Sequence, residues 1–179
     1  MARRKREKVE LTGDEEQIVS FKLGKETFGV RVSQVREIGK VQNITKIPKM
    51  PDYIEGVMNL RGQITTVIDL KKRFGIDGNG SGITTASRII VAEIGDTQIG
   101  IIVDDVLSVS TFSRKDVDTS AASVNREQNN IIGIIRKKIK VKDKDDNELI
   151  IWIDILRLLK EVDQEILKQG NGEETEAGE

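Results

Sequence analysis

The sequence predicts a mainly β fold that is built from two related β units and carries a C-terminal helix. Apolar runs of about four to eight residues recur between Gly, Asp, Asn and Lys turns, which is the pattern of a barrel or sandwich of short strands. Aromatic residues make up only 3% of the 179 residues, so the core must consist mainly of Ile, Val and Leu, which favour strands. An internal repeat accounts for the two units.

The strands follow in order from the apolar runs and from the turn residues that separate them. In the first two thirds of the chain they are expected near 16–23, 27–32, 35–39, 55–60, 63–68, 87–94, 97–103 and 105–110. Towards the C-terminus they are expected near 131–136, 138–142 and 148–153, with the polar run 143–148 as a hairpin tip.

Two helices are predicted directly after apolar strands. Asp69 precedes a helix over 70–74, and Asp154 precedes a longer helix over 155–169. An Asp oxygen accepts hydrogen bonds from the free amides of a first helical turn, and a following glycine tolerates the left-handed exit. The longer helix has an apolar face that indicates packing on a core, and this face consists of Ile155, Leu159, Val162 and Ile166.

The two β units are copies of one pattern. The run LGKETFGVRV at 23–32 reappears as IGDTQIGIIV at 94–103, an offset of 71 residues. Each run predicts a hairpin with a glycine-led turn. The run ITTVIDL at 64–70 reappears as LIIWIDI at 149–155, an offset of 85. The run IEGVM at 54–58 reappears as IIGII at 131–135, an offset of 77, so the second copy carries insertions in its connections.

This repeat divides the ordered part of the chain, which is expected to cover 16–160. A first β-barrel unit over 16–75 and a second over 87–160 are joined by a glycine-rich linker over about 75–86, and the two copies are expected to pack with pseudo-twofold symmetry around a groove. The remaining segments are a basic arm over 1–15, the end of the helix over 161–170 and an acidic tail over 171–179. Both chain ends are expected to be disordered.

Composition excludes many function classes. The chain has no Cys and no His, which removes the thiolate nucleophile, the imidazole base and the commonest soft metal ligands. No cofactor and no metal site is expected, because the glycine-rich run 77–82 has Arg88 where a calcium loop needs an acid. The net charge of -1 gives no basic field for nucleic acid. With no export signal and no membrane-length apolar run, the expected location is the cytoplasm.

Two features are candidates for chemistry or binding. Asp69 and Asp154 could form a pair of acids across the symmetry axis, but their places before helices favour capping. Arg61 lies at a predicted hairpin tip, where a guanidinium is exposed without cost and can bind a carboxylate. The second copy has no counterpart of Arg61, so the arginine is expected to be a docking residue and not a requirement of the fold.

Several motifs together resemble the CheW family of chemotaxis coupling proteins. The signature is GVMNLRG at 56–62, followed by VIDL at 67–70 and RFG at 73–75. Further matches are FGV at 28–30, VREI at 35–38, and GIIVDDV at 100–106. The resemblance covers about residues 15 to 160. One departure is Thr66, where the family usually has Pro, and it is expected to leave the fold and the function intact.

The resemblance implies two SH3-like β-barrel subdomains and a non-catalytic adaptor. Such an adaptor joins the cytoplasmic helical hairpins of chemoreceptors to the regulatory domain of the histidine kinase CheA, and it meets the membrane only through the receptors. Matching the motifs residue by residue implies that one part of the protein-binding site is the hairpin tip Asn59, Leu60, Arg61 and Gly62. The other part is the segment with Val35, Glu37 and Ile38. For Val35 and Ile38, simple core packing is the alternative to a role in binding.

Two other functions stay open from the residues alone. A β-barrel that binds nucleic acid would need basic and aromatic residues on one strand face. A carboxylate hydrolase would need Asp69 and Asp154 within hydrogen-bond reach of each other.

Overall fold

The structure is a computed structural model, and it describes residues 13–76, 82–120 and 130–171. The arm over 1–12, the central part of the predicted linker at 77–81, residues 121–129 and the tail over 172–179 lie outside the described residues. No helix of the described residues is long and apolar enough to cross a membrane.

The described residues form eleven strands and two α-helices, and two short 3₁₀ turns accompany them. The strands are β1 Glu15–Leu23, β2 Glu26–Arg31, β3 Val35–Lys40, β4 Ile54–Leu60, β5 Gln63–Asp69, β6 Arg88–Ile94, β7 Thr97–Val103, β8 Asp105–Ser113, β9 Val117–Asp118, β10 Ile131–Val141 and β11 Lys144–Ile153. The helices are α1 Leu70–Phe74 and α2 Ile155–Asn171, and the 3₁₀ turns are Val32–Gln34 and Arg114–Asp116. The prediction of a mainly β fold with two related β subdomains and a C-terminal helix is confirmed.

The β10–β11 hairpin differs from the prediction. β10 is one strand where two were expected, and β11 begins at Lys144, so the predicted polar tip over 143–148 is wrong. The turn consists of Lys142 and Asp143, which both have positive φ, as a two-residue hairpin turn requires. Opposite charges face each other along the extension, with Lys137 opposite Glu148 and Lys140 opposite Asp145. Such pairs stabilise the extension, whose β11 side begins with the polar run KDDNE and has no apolar alternation to indicate a strand.

Both helices begin where the sequence predicts. Asp69 Oδ1 accepts hydrogen bonds from the amides of Lys71 at 2.9 Å and Lys72 at 3.3 Å, and α1 ends at a left-handed Gly75. Asp154 precedes α2, which continues to Asn171, two residues beyond the expected end. The predicted apolar face of α2 is confirmed by three buried side chains and one partly buried one, which are Ile155, Leu159, Val162 and Ile166.

The two sheets exchange hairpins between the copies. One sheet has the strand order β8-β1-β2-β11-β10-β9, and the other has the order β3-β6-β7-β5-β4. The β1–β2 hairpin of the first copy therefore pairs with strands of the second copy, and the β6–β7 hairpin of the second copy pairs with strands of the first. The boundary predicted near 75–86 separates the copies in sequence, but it does not separate the sheets in space.

Equivalent parallel pairings join each hairpin to the other copy. Trp152 of β11 lies opposite Gly29 of β2, and Val67 of β5 lies opposite Gly100 of β7. A Cβ at Gly29 would lie 3.0 Å from Ile150 Cγ2, tighter than ordinary contact. At Gly29 the absent side chain thus leaves room for the strand from the other copy, whereas at Gly100 it leaves room for Ile89 of the same hairpin, whose Cδ1 would lie 2.7 Å from a Cβ.

Three apolar clusters follow from this arrangement. The largest contains residues of both sheets and the buried face of α2, for example Val19, Phe21, Ile90, Ile101 and Leu158. A second lies inside the five-stranded sheet and includes Met58, Leu60, Val67, Ile89 and Val91. A third lies inside the six-stranded sheet and consists of Ile18, Phe112, Ile135, Ile150 and Trp152. Each sheet therefore curves around its own interior, and the outer faces share one core.

Candidate functional site

The hairpin turn between β4 and β5 positions the predicted docking arginine. Arg61 and Gly62 both have positive φ, 51° and 82°, and the side chain of Asn59 accepts a hydrogen bond from the Gly62 amide at 2.8 Å. Two residues with positive φ match the twist of the flanking strands. Leu60 is buried in the cluster inside the five-stranded sheet, so it holds the tip against the barrel. The sequence NLRG therefore fixes the place from which the arginine projects.

Arg61 forms an ion pair with Glu37 of β3. Arg61 Nη2 lies 3.2 Å from Glu37 Oε1, and the side chains are 79% and 23% exposed. Because β3 and β4 are the two end strands of the five-stranded sheet, this pair bridges the open side of the barrel. The hydrogen bond uses one of the five guanidinium donors, so the exposed fork retains donors for a carboxylate or carbonyl of a partner. The structure brings together two residues that the sequence placed 24 positions apart.

The segment around Val35 presents side chains to two sides of β3. Val35 and Ile38 lie opposite Ala92 and Ile90, which belong to the core between the sheets, whereas Glu37 lies opposite Val91 of the barrel interior. An irregularity in the register between Val35 and Glu37 makes this possible. Val35 is partly buried against the core, and Ile38 is 40% exposed. Core packing therefore accounts for part of Val35, and Ile38 remains available on the surface.

Ile64 is a surface residue that the sequence reasoning missed. It is 74% exposed and lies opposite Asn59, next to the hairpin tip. The first β5 residue that pairs with β7 is Thr66, so Ile64 lies beyond the part of β5 that a neighbouring strand covers. The sequence signal was the position of Ile64 two residues after the turn. An exposed isoleucine beside an exposed arginine adds an apolar anchor to the site.

The space at this rim is small. A cavity of about 70 Å³ lies beside the hairpin tip, and it is lined by Arg36, Glu37, Leu60, Arg61, Gln63 and Gln98. Pockets that hold drug-sized ligands have volumes of about 300 to 1,000 Å³. The geometry therefore suits contact with a protein surface better than the enclosure of a small molecule.

The two repeated aspartates act as helix caps. Asp154 Oδ1 accepts hydrogen bonds from the amides of Leu156 at 3.1 Å and Arg157 at 3.2 Å, as Asp69 does at α1. The prediction of capping is confirmed, and the carboxylates are committed to helix amides, not to each other. Within 13–76, 82–120 and 130–171, no group of three or more His, Cys, Asp or Glu side chains is arranged to hold a metal ion.

Comparisons with known proteins bear on the whole domain. The family model described as the CheW-like domain matches residues 17–163. "Chemotaxis protein CheW" of Treponema pallidum is 37% identical over 105 residues, which cover 58% of this chain and 62% of that protein. The Bacillus subtilis protein of the same name is 35% identical over 150 residues, which cover 78% of this chain and 94% of that protein.

A solved structure has the same fold. The crystal structure of the scaffolding protein TtCheW from Thermoanaerobacter tengcongensis superposes with a TM-score of 0.64 and is 38% identical in sequence. The superposition covers 78% of this chain and 84% of that one. The similarity thus extends over both sheets of the described structure.

Proposed function

Because the chain belongs to the family of CheW-like domain proteins, we propose that it is a non-catalytic chemotaxis adaptor, which joins the cytoplasmic tips of chemoreceptors to the histidine kinase CheA. It acts in the cytoplasm and meets the membrane only through the receptors. The observation that carries the proposal is the exposed Arg61, which is held at the rim of the five-stranded sheet by Glu37.

The rim has the composition of a protein contact. Ile38 and Ile64 supply apolar area, and Arg61 and Glu37 supply charges around it. Interfaces combine a buried apolar centre with a polar rim, and arginine is enriched among their hot spots. We assign the hairpin tip and the segment from Val35 to Ile38 to the kinase and receptor contacts together. The receptor hairpin is expected in the groove between the two subdomains.

Signal transmission then depends on contact energy. A receptor that changes shape alters the balance between two states of the kinase only if the adaptor binds those states with different free energies. The adaptor needs no reactive group for this task.

The aromatic residues argue against a nucleic-acid-binding module. Such a module stacks bases on exposed aromatic rings. Phe21, Phe28, Phe112 and Trp152 are all buried in apolar clusters, and Tyr53 and Phe74 pack against the largest cluster. The strand faces therefore offer no stacking surface from these side chains.

Binding measurements test the proposal. The full chain is titrated with the regulatory domain of the cognate kinase, and Arg61→Ala is compared with Arg114→Ala. Arg114 is a matched control because it is also exposed and paired with a glutamate, Glu16 at 2.7 Å, on the other sheet. Loss of a hot-spot arginine is expected to weaken binding about 30-fold, whereas the control should change it less than about twofold.

Two further measurements complete this test: the stability of the arginine variant and the binding of a receptor fragment. Arg61→Ala should lower the free energy of unfolding by less than about 1 kcal/mol, because exposed ion pairs contribute little. Ile38→Lys is then titrated with the kinase domain and with a receptor cytoplasmic fragment to determine which partner this residue contacts. If the wild-type chain binds neither partner, the adaptor proposal fails. If both arginine variants lose affinity equally, the assignment of the docking residue fails.

A further inference from the structure

The six-stranded sheet has an open cleft between β8 and β10. β8 and β9 are the ends of this sheet, and β8 shares no ladder with β10. Between Ser110–Phe112 and 135–138 lies a cavity of about 350 Å³, which is within the range of binding pockets. Its apolar floor is formed by Ile18, Phe112, Ile135 and Ile150.

The rim of this β8–β10 cleft is mainly basic. Arg136, Lys137 and Lys138 line one side, and Asp116 is the carboxylate that lines it. Lys137 Nζ donates a hydrogen bond to Ser110 Oγ at 3.0 Å. The Lys137 side chain therefore spans the cleft, where β8 and β10 are not joined by backbone hydrogen bonds. Arg136 lies 3.6 Å from Asp118, and both side chains are largely exposed. Within the described residues, Lys138 forms no ion pair.

The repeat shows what the other barrel has at the same place. The offset of 77 residues aligns Leu60 with Lys137 and puts Lys138, which lies within a strand and not in a turn, at the position of Arg61. The offset of 71 equates Glu37 with Ser108, and their cross-strand partners, Val91 and Ser20, obey the same offset. In the five-stranded sheet, the buried Leu60 fills the barrel end and Glu37 supplies a carboxylate to the rim arginine.

The six-stranded sheet has neither of these parts at the equivalent positions, and its nearby carboxylates are Asp116 and Asp118. Lys137 stands in place of the aliphatic Leu60, and Ser108 stands in place of the carboxylate of Glu37. The rim cations therefore lie above an apolar floor. The two missing parts are an aliphatic side chain and a carboxylate. A partner that supplied both would bury apolar surface and neutralise the rim.

We propose that the β8–β10 cleft binds a short extended segment of a partner protein in which an aliphatic side chain is flanked by carboxylates. The aliphatic side chain enters between Phe112 and Ile135, and the carboxylates pair with Lys138 and Arg136. Arg136 exchanges its solvent-exposed pair with Asp118 for the new one at little cost, because such pairs are worth little. This cleft lies on the sheet opposite to the one that carries Arg61, so the surface is additional to the proposed kinase and receptor site.

A labelled peptide tests the inference with the full chain. The probe is a fluorescein-labelled pentapeptide with one leucine between two pairs of aspartates, and binding is followed by fluorescence anisotropy. A second probe has glycine in place of the leucine. The leucine peptide should bind with saturation, and the glycine peptide should bind at least about tenfold more weakly, because one buried leucine supplies the apolar contact.

Three variants identify the place of binding. Arg136→Glu combined with Lys138→Glu should weaken binding about tenfold or more, because two pairs become repulsive. Lys140→Glu is the matched control: it makes the same change on β10, its side chain is exposed and it does not line the cleft. Lys137→Leu should abolish binding by filling the cleft as Leu60 fills the other barrel, and it should leave the chain folded.

The inference is overturned by any of four results, of which the last two concern the variants. The first is that the leucine peptide does not bind the wild-type chain at about 1 mM. The second is that the glycine peptide binds equally well, which would reduce the surface to a diffuse basic patch. The third is that Lys140→Glu weakens binding as much as the rim variants do, and the fourth is that the folded Lys137→Leu protein still binds the peptide.

Discussion

Replacing Gly56 with alanine should be among the most damaging single changes to this fold. Gly56 has φ of +142°, and a Cβ there would lie 2.1 Å from the carbonyl oxygen of Thr45 and 2.8 Å from its carbonyl carbon. These are backbone atoms of the segment that bridges to β4 through hydrogen bonds between Thr45 and Val57 at 2.8 and 2.9 Å. Relief of the clash must therefore break that bridge.

The cost follows from these contacts. An unfavourable φ contributes about 1 to 3 kcal/mol, and two lost hydrogen bonds contribute about 1 kcal/mol each. Gly56→Ala should lower the free energy of unfolding by about 3 to 5 kcal/mol. Losses of this size are typical of substitutions that strain the backbone or break a hydrogen-bond network. Urea unfolding followed by the fluorescence of Trp152 measures this, because it is the one tryptophan of the chain and it is buried.

Gly75→Ala is the matched control. Gly75 also has positive φ, +64°, but a Cβ there would have no atom within 4 Å other than those of Gly75 and its two chain neighbours. Only the cost of the left-handed conformation remains, about 1 kcal/mol. If Gly56→Ala costs no more than Gly75→Ala, the segment at Thr45 can move away freely, and the argument from close approach is refuted.

Two further changes address the helix cap at Asp154 and the titration of the partly buried Tyr53. Asp154→Ala should lower the free energy of unfolding by about 1 kcal/mol while Asp154→Asn retains most of it, because the cap needs an oxygen acceptor; equal losses in the urea experiment would contradict this. Burial, followed by the hydrogen bond and the charge of Glu165, raises the pKa of Tyr53 above its ordinary value of 10.0. The folded state therefore favours the neutral phenol, and this contribution to stability is complete below pH 10.0 and decreases as the pH rises further. Unfolding free energies at about pH 9 and 11 should fall more for the wild type than for Tyr53→Phe, and parallel slopes would disprove the link.

Local features were predictable from the sequence because each has a local cause. The capping aspartates lie directly before their helices, and glycine-led turns indicate the hairpins. The choice of strand partners has no such cause. Alternation tells which face of β2 is buried, but the pairing of Gly29 with Trp152 depends on a strand more than a hundred positions away. The exchange of hairpins between the two copies therefore could not be predicted from the sequence, although the repeat itself could be recognised there.

The candidate site was predictable to a similar extent. Arg61 stood out because the second copy lacks it, and the structure explains the difference, since β10 continues straight through 136–138 where β4 ends in a turn. Ile64 was missed because its exposure depends on where β7 stops covering β5. The alternation along β5 assigns Ile64 a face, but it does not tell whether another strand lies beside that face.

The hairpin exchange joins the docking rim to the core between the sheets. β3 of the first copy pairs with β6 of the second, so neighbouring residues of one strand contact both regions. Ile90 belongs to the core between the sheets and lies opposite Ile38, while Val91 belongs to the barrel interior and lies opposite Glu37. A partner that moves β3 therefore displaces contacts on both faces of β6 at once, because packed interiors do not deform independently. If the proposed adaptor binds a receptor in the groove, we expect this shared edge to transmit the displacement to the rim.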